Sequence, residues 1–173
     1  MTAENCSEGK LFLIRSAELL KQYRTWLRKT LDLLPEDKVW WNPSANVNSV
    51  GVLLKHLRGN LRQWVVSALG NVSFYREREK EFINTYESLE ELWNALDETV
   101  LEAIHTLENL SENILCQHLH VQGFEVTGLE AIYHAIEHFA YHTGQIVFIT
   151  KMVTGKDTQF YILGQDGNPK PNW

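Results

Sequence analysis

The 173-residue chain is long enough for one domain with a sizeable core, and its 44% hydrophobic and 22% charged residues are typical of a globular protein. Its net charge of −6 argues against nucleic acid as a partner, because phosphate binding depends on clustered Lys and Arg. No stretch approaches the roughly 20 apolar residues needed to span a bilayer, and the N-terminus lacks the features of a signal peptide.

Amphipathic patterns predict two helices in the first part of the chain. The first runs from about residue 10 to 34 and ends before Pro35, which lacks an amide hydrogen and disfavours helix in the residue before it. The second runs from about residue 50 to 69, and either Asn48 or Ser49 can cap its beginning.

Residues 71–87 are expected to be irregular, and the alternating charges from Arg76 to Glu81 are interpreted as a solvated segment. A third helix is predicted to begin after Ser88 and to reach about Asn109, because Glu91 completes a capping box with Ser88.

The last part of the chain contains a hairpin signal and a fourth helix. Residues 117–126 alternate in polarity around a Gln-Gly turn and could form a small β-hairpin. Thr127 and Glu130 form a second capping box, which starts a helix that runs to about Val153.

These elements predict an all-α four-helix bundle with a small β-hairpin between helices 3 and 4. We expect a single domain over residues 1–173, with the bundle at about 9–155 and an extended tail at 156–173. The tail is expected to pack back onto the bundle through three aromatic residues: Phe160, Tyr161 and Trp173.

The fourth predicted helix carries a pair of histidines that could share one metal ion. His138 and His142 are four residues apart, so they lie about 40° apart on one face and about 6 Å apart along the axis. That spacing lets two imidazoles converge on one ion. The alternative is a pair of core histidines that hydrogen-bond to carbonyls or water.

The second predicted helix supports the metal interpretation. His56 is flanked on its face by Ser49, Val52, Leu53, Asn60, Gln63 and Ser67. Such a polar band suits a site within the bundle. Three neutral imidazoles, from His56, His138 and His142, would hold a divalent ion and leave a position open. Each imidazole also needs a hydrogen-bond acceptor for the ring nitrogen that does not bind the metal, and Asn60 and Gln145 are candidates for this role.

Two other metal patterns do not fit. A metalloprotease helix would place a glutamate directly after the first histidine, but residue 139 is Phe. A di-iron bundle needs paired Glu-x-x-His motifs, and the chain has one, which ends at His105.

The segments 48–60 and 138–146 (His-Phe-Ala-Tyr-His-Thr-Gly-Gln-Ile) resemble the DinB-like, or YfiT-like, family of four-helix metalloproteins, and in particular an uncharacterised branch of it. The resemblance covers the chain to about residue 155. It implies one divalent ion, nickel, zinc or iron, bound through His56, His138 and His142.

The resemblance also suggests activities. Some relatives are thiol S-transferases that use a low-molecular-weight thiol such as bacillithiol or mycothiol on small-molecule electrophiles, and others are proposed hydrolases. No general base is evident on the fourth helix, although Tyr141 or His134 could transfer a proton. No catalytic residue is assigned. The alternatives are a non-catalytic stress-response or structural protein in which the metal joins two helices, and a plain bundle without metal.

The apolar perimeter of the fourth helix exceeds what three neighbouring helices usually cover, which favours a homodimer. The two cysteines, Cys6 and Cys116, are too few for a disulfide framework. We interpret them as reduced thiols in a cytoplasmic protein.

Overall fold

The bundle is built from four long helices and one short one. The structure is a computed structural model in which residues 7–172 are described. The helices are α1 (Glu8–Leu31), α2 (Val50–Leu61), α3 (Arg78–Glu81), α4 (Leu89–Asn109) and α5 (Gly128–Thr154). Helices α1 and α2 each pack against both α4 and α5, and α3 packs on α2. The predicted all-α bundle is confirmed.

Capping residues set the beginnings of the long helices. The Ser88–Glu91 and Thr127–Glu130 capping boxes are both present, as predicted. Helix α1 ends three residues earlier than expected. Its last turn is tightened by hydrogen bonds from the Leu33 and Leu34 amides to carbonyls three residues back, as is common at helix ends.

The second predicted helix changes from α-helical to π-helical geometry after the segment that contains His56. Helix α2 is regular to Leu61, and residues Arg62–Ser67 then form a π-helical turn that contains Trp64. Turns of this kind bulge the helix and often lie at functional sites. Here the turn brings the Trp64 indole beside His134 of α5, with the ring centroids 4.2 Å apart.

A β-hairpin connects α4 to α5, as predicted. Its strands, β1 (His118–Val121) and β2 (Phe124–Thr127), are antiparallel. The turn residues Gln122 and Gly123 both have positive φ, which tight hairpin turns require. The Trp64 indole N–H donates a hydrogen bond to the Gln122 side-chain oxygen at 3.2 Å, which connects the tip of the hairpin to the π turn.

The C-terminal segment forms a second small hairpin from β3 (Tyr161–Leu163) and β4 (Pro169–Pro171). The Phe160 ring stacks on Trp26 of α1 at a centroid distance of 4.7 Å, and Tyr161 contacts the edge of the same indole. Trp173 and Cys6, also discussed from the sequence, lie outside the described residues. None of the described helices has the length and apolar character that crossing a membrane requires.

Candidate metal centre

Three imidazoles from two helices converge at one point inside the bundle. Nε2 of His56 on α2 lies 3.0 Å from Nε2 of His138 on α5, which lies 3.2 Å from Nε2 of His142. All three ligand atoms lie within 4.8 Å of one another. Two nitrogens bound to one ion at about 2.1 Å are separated by about 3.0–3.4 Å, so the three histidines fit a divalent metal.

Burial keeps two of these imidazoles in the neutral form that binds metal. Burial, together with the neighbouring His142 and His56, lowers the pKa of His138 to about 3. Burial also lowers the pKa of His142, against the hydrogen bond that its ring donates to Gln145, which raises this pKa. At neutral pH both rings therefore present a lone pair rather than a proton.

Glu81 orients the third imidazole. Its Oε2 lies 2.9 Å from Nδ1 of His56. Burial would raise the pKa of the Glu81 carboxyl, but hydrogen bonds from His56 and Arg76 outweigh burial and hold this pKa below its ordinary value. The ionised carboxylate accepts the Nδ1 hydrogen, which leaves Nε2 of His56 free to ligate. A carboxylate behind a metal-binding histidine is a common supporting arrangement.

Arg76 neutralises the Glu81 carboxylate from the other side. Its Nε and Nη2 donate to the two carboxylate oxygens at 2.6 and 2.8 Å, and its Nη1 donates to Gln63 at 3.0 Å. The Arg76 side chain is only 4% exposed. The interpretation of this run as solvated is therefore wrong for Arg76 and Glu81, because the single turn of α3 directs Glu81 inward.

The Nδ1 atoms of His138 and His142, which face away from the proposed metal position, differ in their hydrogen-bond partners. Nδ1 of His142 lies 2.7 Å from the Gln145 side-chain oxygen, so Gln145 stands where the sequence placed a supporting acceptor. Nδ1 of His138 is buried without a hydrogen-bond partner among the described residues. The His138 ring is instead packed between its two neighbours, with centroids 4.9 Å from His56 and 4.4 Å from His142.

The remaining candidate residues lie at the edge of the centre. His134 is one turn before His138, with ring centroids 5.6 Å apart, and Nδ2 of Asn60 lies 3.4 Å from Nε2 of His134. Asn60 thus contacts His134 rather than a member of the converging trio. Tyr141 is 64% exposed and meets the His142 ring at 5.1 Å.

A small cavity of about 250 Å³ opens onto the histidines. Five of its lining residues come from α2, the π turn and α5: His56, Asn60, Trp64, His134 and His138. The other four are Arg76, Arg78, Gln122 and Phe124. No carboxylate or thiol of the described residues joins the three histidines as a further ligand. The centre therefore has the donor set of an open metal site rather than of a closed structural one.

The sequence interpretation missed Glu81 and Arg76, which support His56. One signal in the sequence could have indicated them. Gly59 interrupts a strongly apolar helix one turn after His56, and a glycine inside a helix often marks the close approach of another group.

Solved structures share this fold. A conserved protein from Enterococcus faecalis matches with a TM-score of 0.64 at 17% identity, over 82% of this chain and 96% of that one. DinB-like proteins from Bacillus subtilis (YjoA) and Bacillus cereus match with TM-scores of 0.63 and 0.62 at 18% and 15% identity. They cover 83% and 77% of this chain, and 94% and 87% of their own.

At these identities the likeness establishes the fold alone, and it confirms the expected DinB-like resemblance. A search of curated proteins found no match. A family model described as "Protein of unknown function (DUF1572)" matches residues 7–166, which is nearly the whole chain. The chain therefore belongs to this family, and its fold is that of the DinB-like proteins.

Proposed function

We propose that the chain is a metal-dependent enzyme that binds one divalent ion through His56, His138 and His142 and transfers a low-molecular-weight thiol to a small electrophile. The observation that carries the proposal is the approach of three imidazole nitrogens to within 4.8 Å of one another beside a cavity. Three imidazoles favour zinc, nickel or iron(II) over magnesium or calcium, which prefer oxygen ligands.

The cavity supports a small-molecule reaction. A divalent ion held there would lower the pKa of a coordinated thiol or water, so that a nucleophile is available near neutral pH. Cys116, the one cysteine of the described residues, is exposed and does not line the cavity, so we expect the thiol to be a separate molecule. The rings of Trp64 and Phe124 form apolar walls that would limit the access of water.

His134 supports a second candidate, a metal-dependent hydrolase. It lines the same cavity, and burial lowers its pKa, so the ring is neutral at pH 7. A neutral imidazole one turn from His138 can accept a proton from an attacking water. Replacing His134 should abolish hydrolysis but should only weaken thiol transfer.

A non-catalytic role is the third candidate. An ion held by His56 and His138 would join α2 to α5 and stabilise the bundle. That role requires no cavity and no open ligand position. The lining of the cavity by two of the proposed ligands, His56 and His138, favours the enzyme.

Metal content tests the proposal first. We expect about one zinc, nickel or iron per chain by elemental mass spectrometry, and its loss in His138→Ala. His105→Ala is the matched control, because His105 is exposed on α4 and its neighbour is Asn109. A wild-type protein that stays empty after incubation with all three metals would contradict the proposal. Metal-loaded protein then enters a panel of thiols and electrophiles, and absence of turnover would reject the transferase.

We also propose a homodimer. Three apolar side chains on one face of α5 are exposed in the single chain: Tyr141 (64%), Phe148 (68%) and Met152 (49%). They line a surface groove of about 670 Å³. Sedimentation of the wild-type protein at the mass of two chains, and of Phe148→Glu at the mass of one, is the expected result. A wild-type monomer of 20.1 kDa would reject the dimer.

A further inference from the structure

The cavity beside the histidines carries a positive charge that no protein carboxylate offsets. Two arginines line it, Arg76 and Arg78. Arg76 is buried and paired with Glu81. Arg78 is exposed, and within the described residues no carboxylate lies within 4 Å of it, nor does any Asp or Glu line the cavity.

Aromatic contacts hold Arg78 next to the metal centre. Its guanidinium carbon lies 5.1 Å from the centroid of the Phe82 ring, a cation–π geometry. The Phe82 ring in turn lies 5.2 Å from the His56 ring. Arg78 and Phe82 are four residues apart, across the single turn of α3, so they meet on one side of it. These contacts keep the Arg78 guanidinium at the rim of the cavity, which His56, a proposed metal ligand, also lines.

The rest of the lining limits the size of a ligand. At about 250 Å³ the cavity is smaller than the sites of drug-sized ligands, which begin at about 300 Å³. Its walls combine the rings of Trp64 and Phe124 with the side-chain amides of Asn60 and Gln122. A compact molecule with one charged end fits this arrangement.

We propose that the cavity binds a small carboxylate, with its carboxylate group on Arg78 and its other end at His56, His138 and His142. The inference rests on the proposed function, because the second anchor is the metal. A guanidinium fork matches a carboxylate in shape, and one unpaired guanidinium matches its single charge. A phosphate monoester carries nearly two charges and would leave the second unpaired. In the thiol reaction, the substrate thiol would thus carry a carboxylate.

The test compares two thiols of similar size on cobalt-loaded protein: mercaptoacetate, which carries a carboxylate, and 2-mercaptoethanol, which does not. Binding is followed by thiol-to-cobalt charge-transfer absorption, after elemental analysis has shown one cobalt per chain. The ratio of the two Kd values is compared between proteins, so the intrinsic difference between the thiols cancels.

In wild type we expect mercaptoacetate to bind more tightly, and in Arg78→Gln we expect this preference to fall about tenfold, the usual scale for a lost charged hydrogen bond. Arg78→Lys should retain part of the preference. Arg58→Gln is the matched control, because Arg58 is exposed on α2 and has no carboxylate within 4 Å among the described residues. Its preference should equal that of wild type.

Two outcomes would overturn the inference while the metal site stands. One is an unchanged preference in Arg78→Gln, and the other is displacement of mercaptoacetate by inorganic phosphate at lower concentration than by acetate. A wild-type protein that binds no cobalt would overturn the proposed function itself, and the elemental analysis detects this before any thiol is added.

Discussion

Gly59 provides the space that the carboxylate of Glu81 occupies against α2. A Cβ atom at residue 59 would lie 2.0 Å from Oε1 of Glu81 and 3.0 Å from Nε of Arg76. A side chain at residue 59 would displace the Glu81 carboxylate, so the support of His56 depends on the absence of a side chain one turn further along the same helix.

Gly59→Ala should therefore weaken metal binding without touching a ligand. The new methyl group must displace Glu81, and loss of a supporting hydrogen bond typically costs 10–100-fold in metal affinity. Competition with a zinc chelator measures this. Gly144→Ala is the control, because it also lies within a helix near a ligand but its Cβ would meet nothing within 4 Å. Equal affinity of Gly59→Ala and wild type would show that Glu81 does not support the site.

Removal of Glu81 should affect stability and metal binding separately. In Glu81→Leu the Arg76 guanidinium, 4% exposed, loses its buried partner, which typically costs about 3–5 kcal/mol of unfolding free energy. The double variant Glu81→Leu with Arg76→Leu should recover most of this loss in urea unfolding, because no unpaired charge remains. Its metal affinity should stay low, since His56 still lacks its acceptor. Recovery of both properties would contradict the role given to Glu81.

Acid should destabilise the metal-free protein through His138. The unfolded state takes up a proton on this ring near the ordinary pKa of 6.5, whereas the folded state resists protonation down to a pKa of about 3. The free energy of unfolding should therefore fall as pH falls from about 6.5 towards 3, and it should be unaffected by this group above that window. Urea unfolding of chelator-treated protein gives the slope. His138→Leu should show a shallower slope, and an equal slope would contradict the prediction.

The contact between Phe160 and Trp26 should stabilise the protein modestly and leave metal binding unchanged. The two rings are nearly parallel, at 7°. Such pairs contribute about 0.5–1.5 kcal/mol beyond the burial of area, so Phe160→Ala should lower the melting temperature by several degrees. Tyr75→Ala, whose side chain is 87% exposed, is the control. A loss of metal in Phe160→Ala would show that the tail also shapes the centre.

The fold followed from local signals in the sequence. The Ser88–Glu91 and Thr127–Glu130 capping boxes begin α4 and α5 where they were expected, because a cap is satisfied by residues next to it in the chain. The π turn after Leu61 was not predicted, since it adds one residue to a helical period without changing which residues are apolar.

The histidines could be nominated from the sequence because two of them share a helix face, and His56 came from its polar neighbours and the family resemblance. Glu81 could not. It lies in a helix of four residues, which is too short to show a periodic pattern, and its burial depends on Arg76 five residues earlier. Alternating charge is the usual mark of a solvated segment, and the pairing that hides two of these charges arises only in three dimensions.

His56 and His138 are separated by 82 residues in the sequence, which determines when the three-histidine centre can form during folding. The α5 pair can come together as soon as its own helix winds, but His56 joins it only when the chain closes a long loop, which is entropically slow. During synthesis His56 emerges early, whereas His138 and His142 emerge only after most of the chain has been made. The complete three-nitrogen site is thus a late product of folding, and an ion that needs all three donors reaches a protein whose helices are already packed.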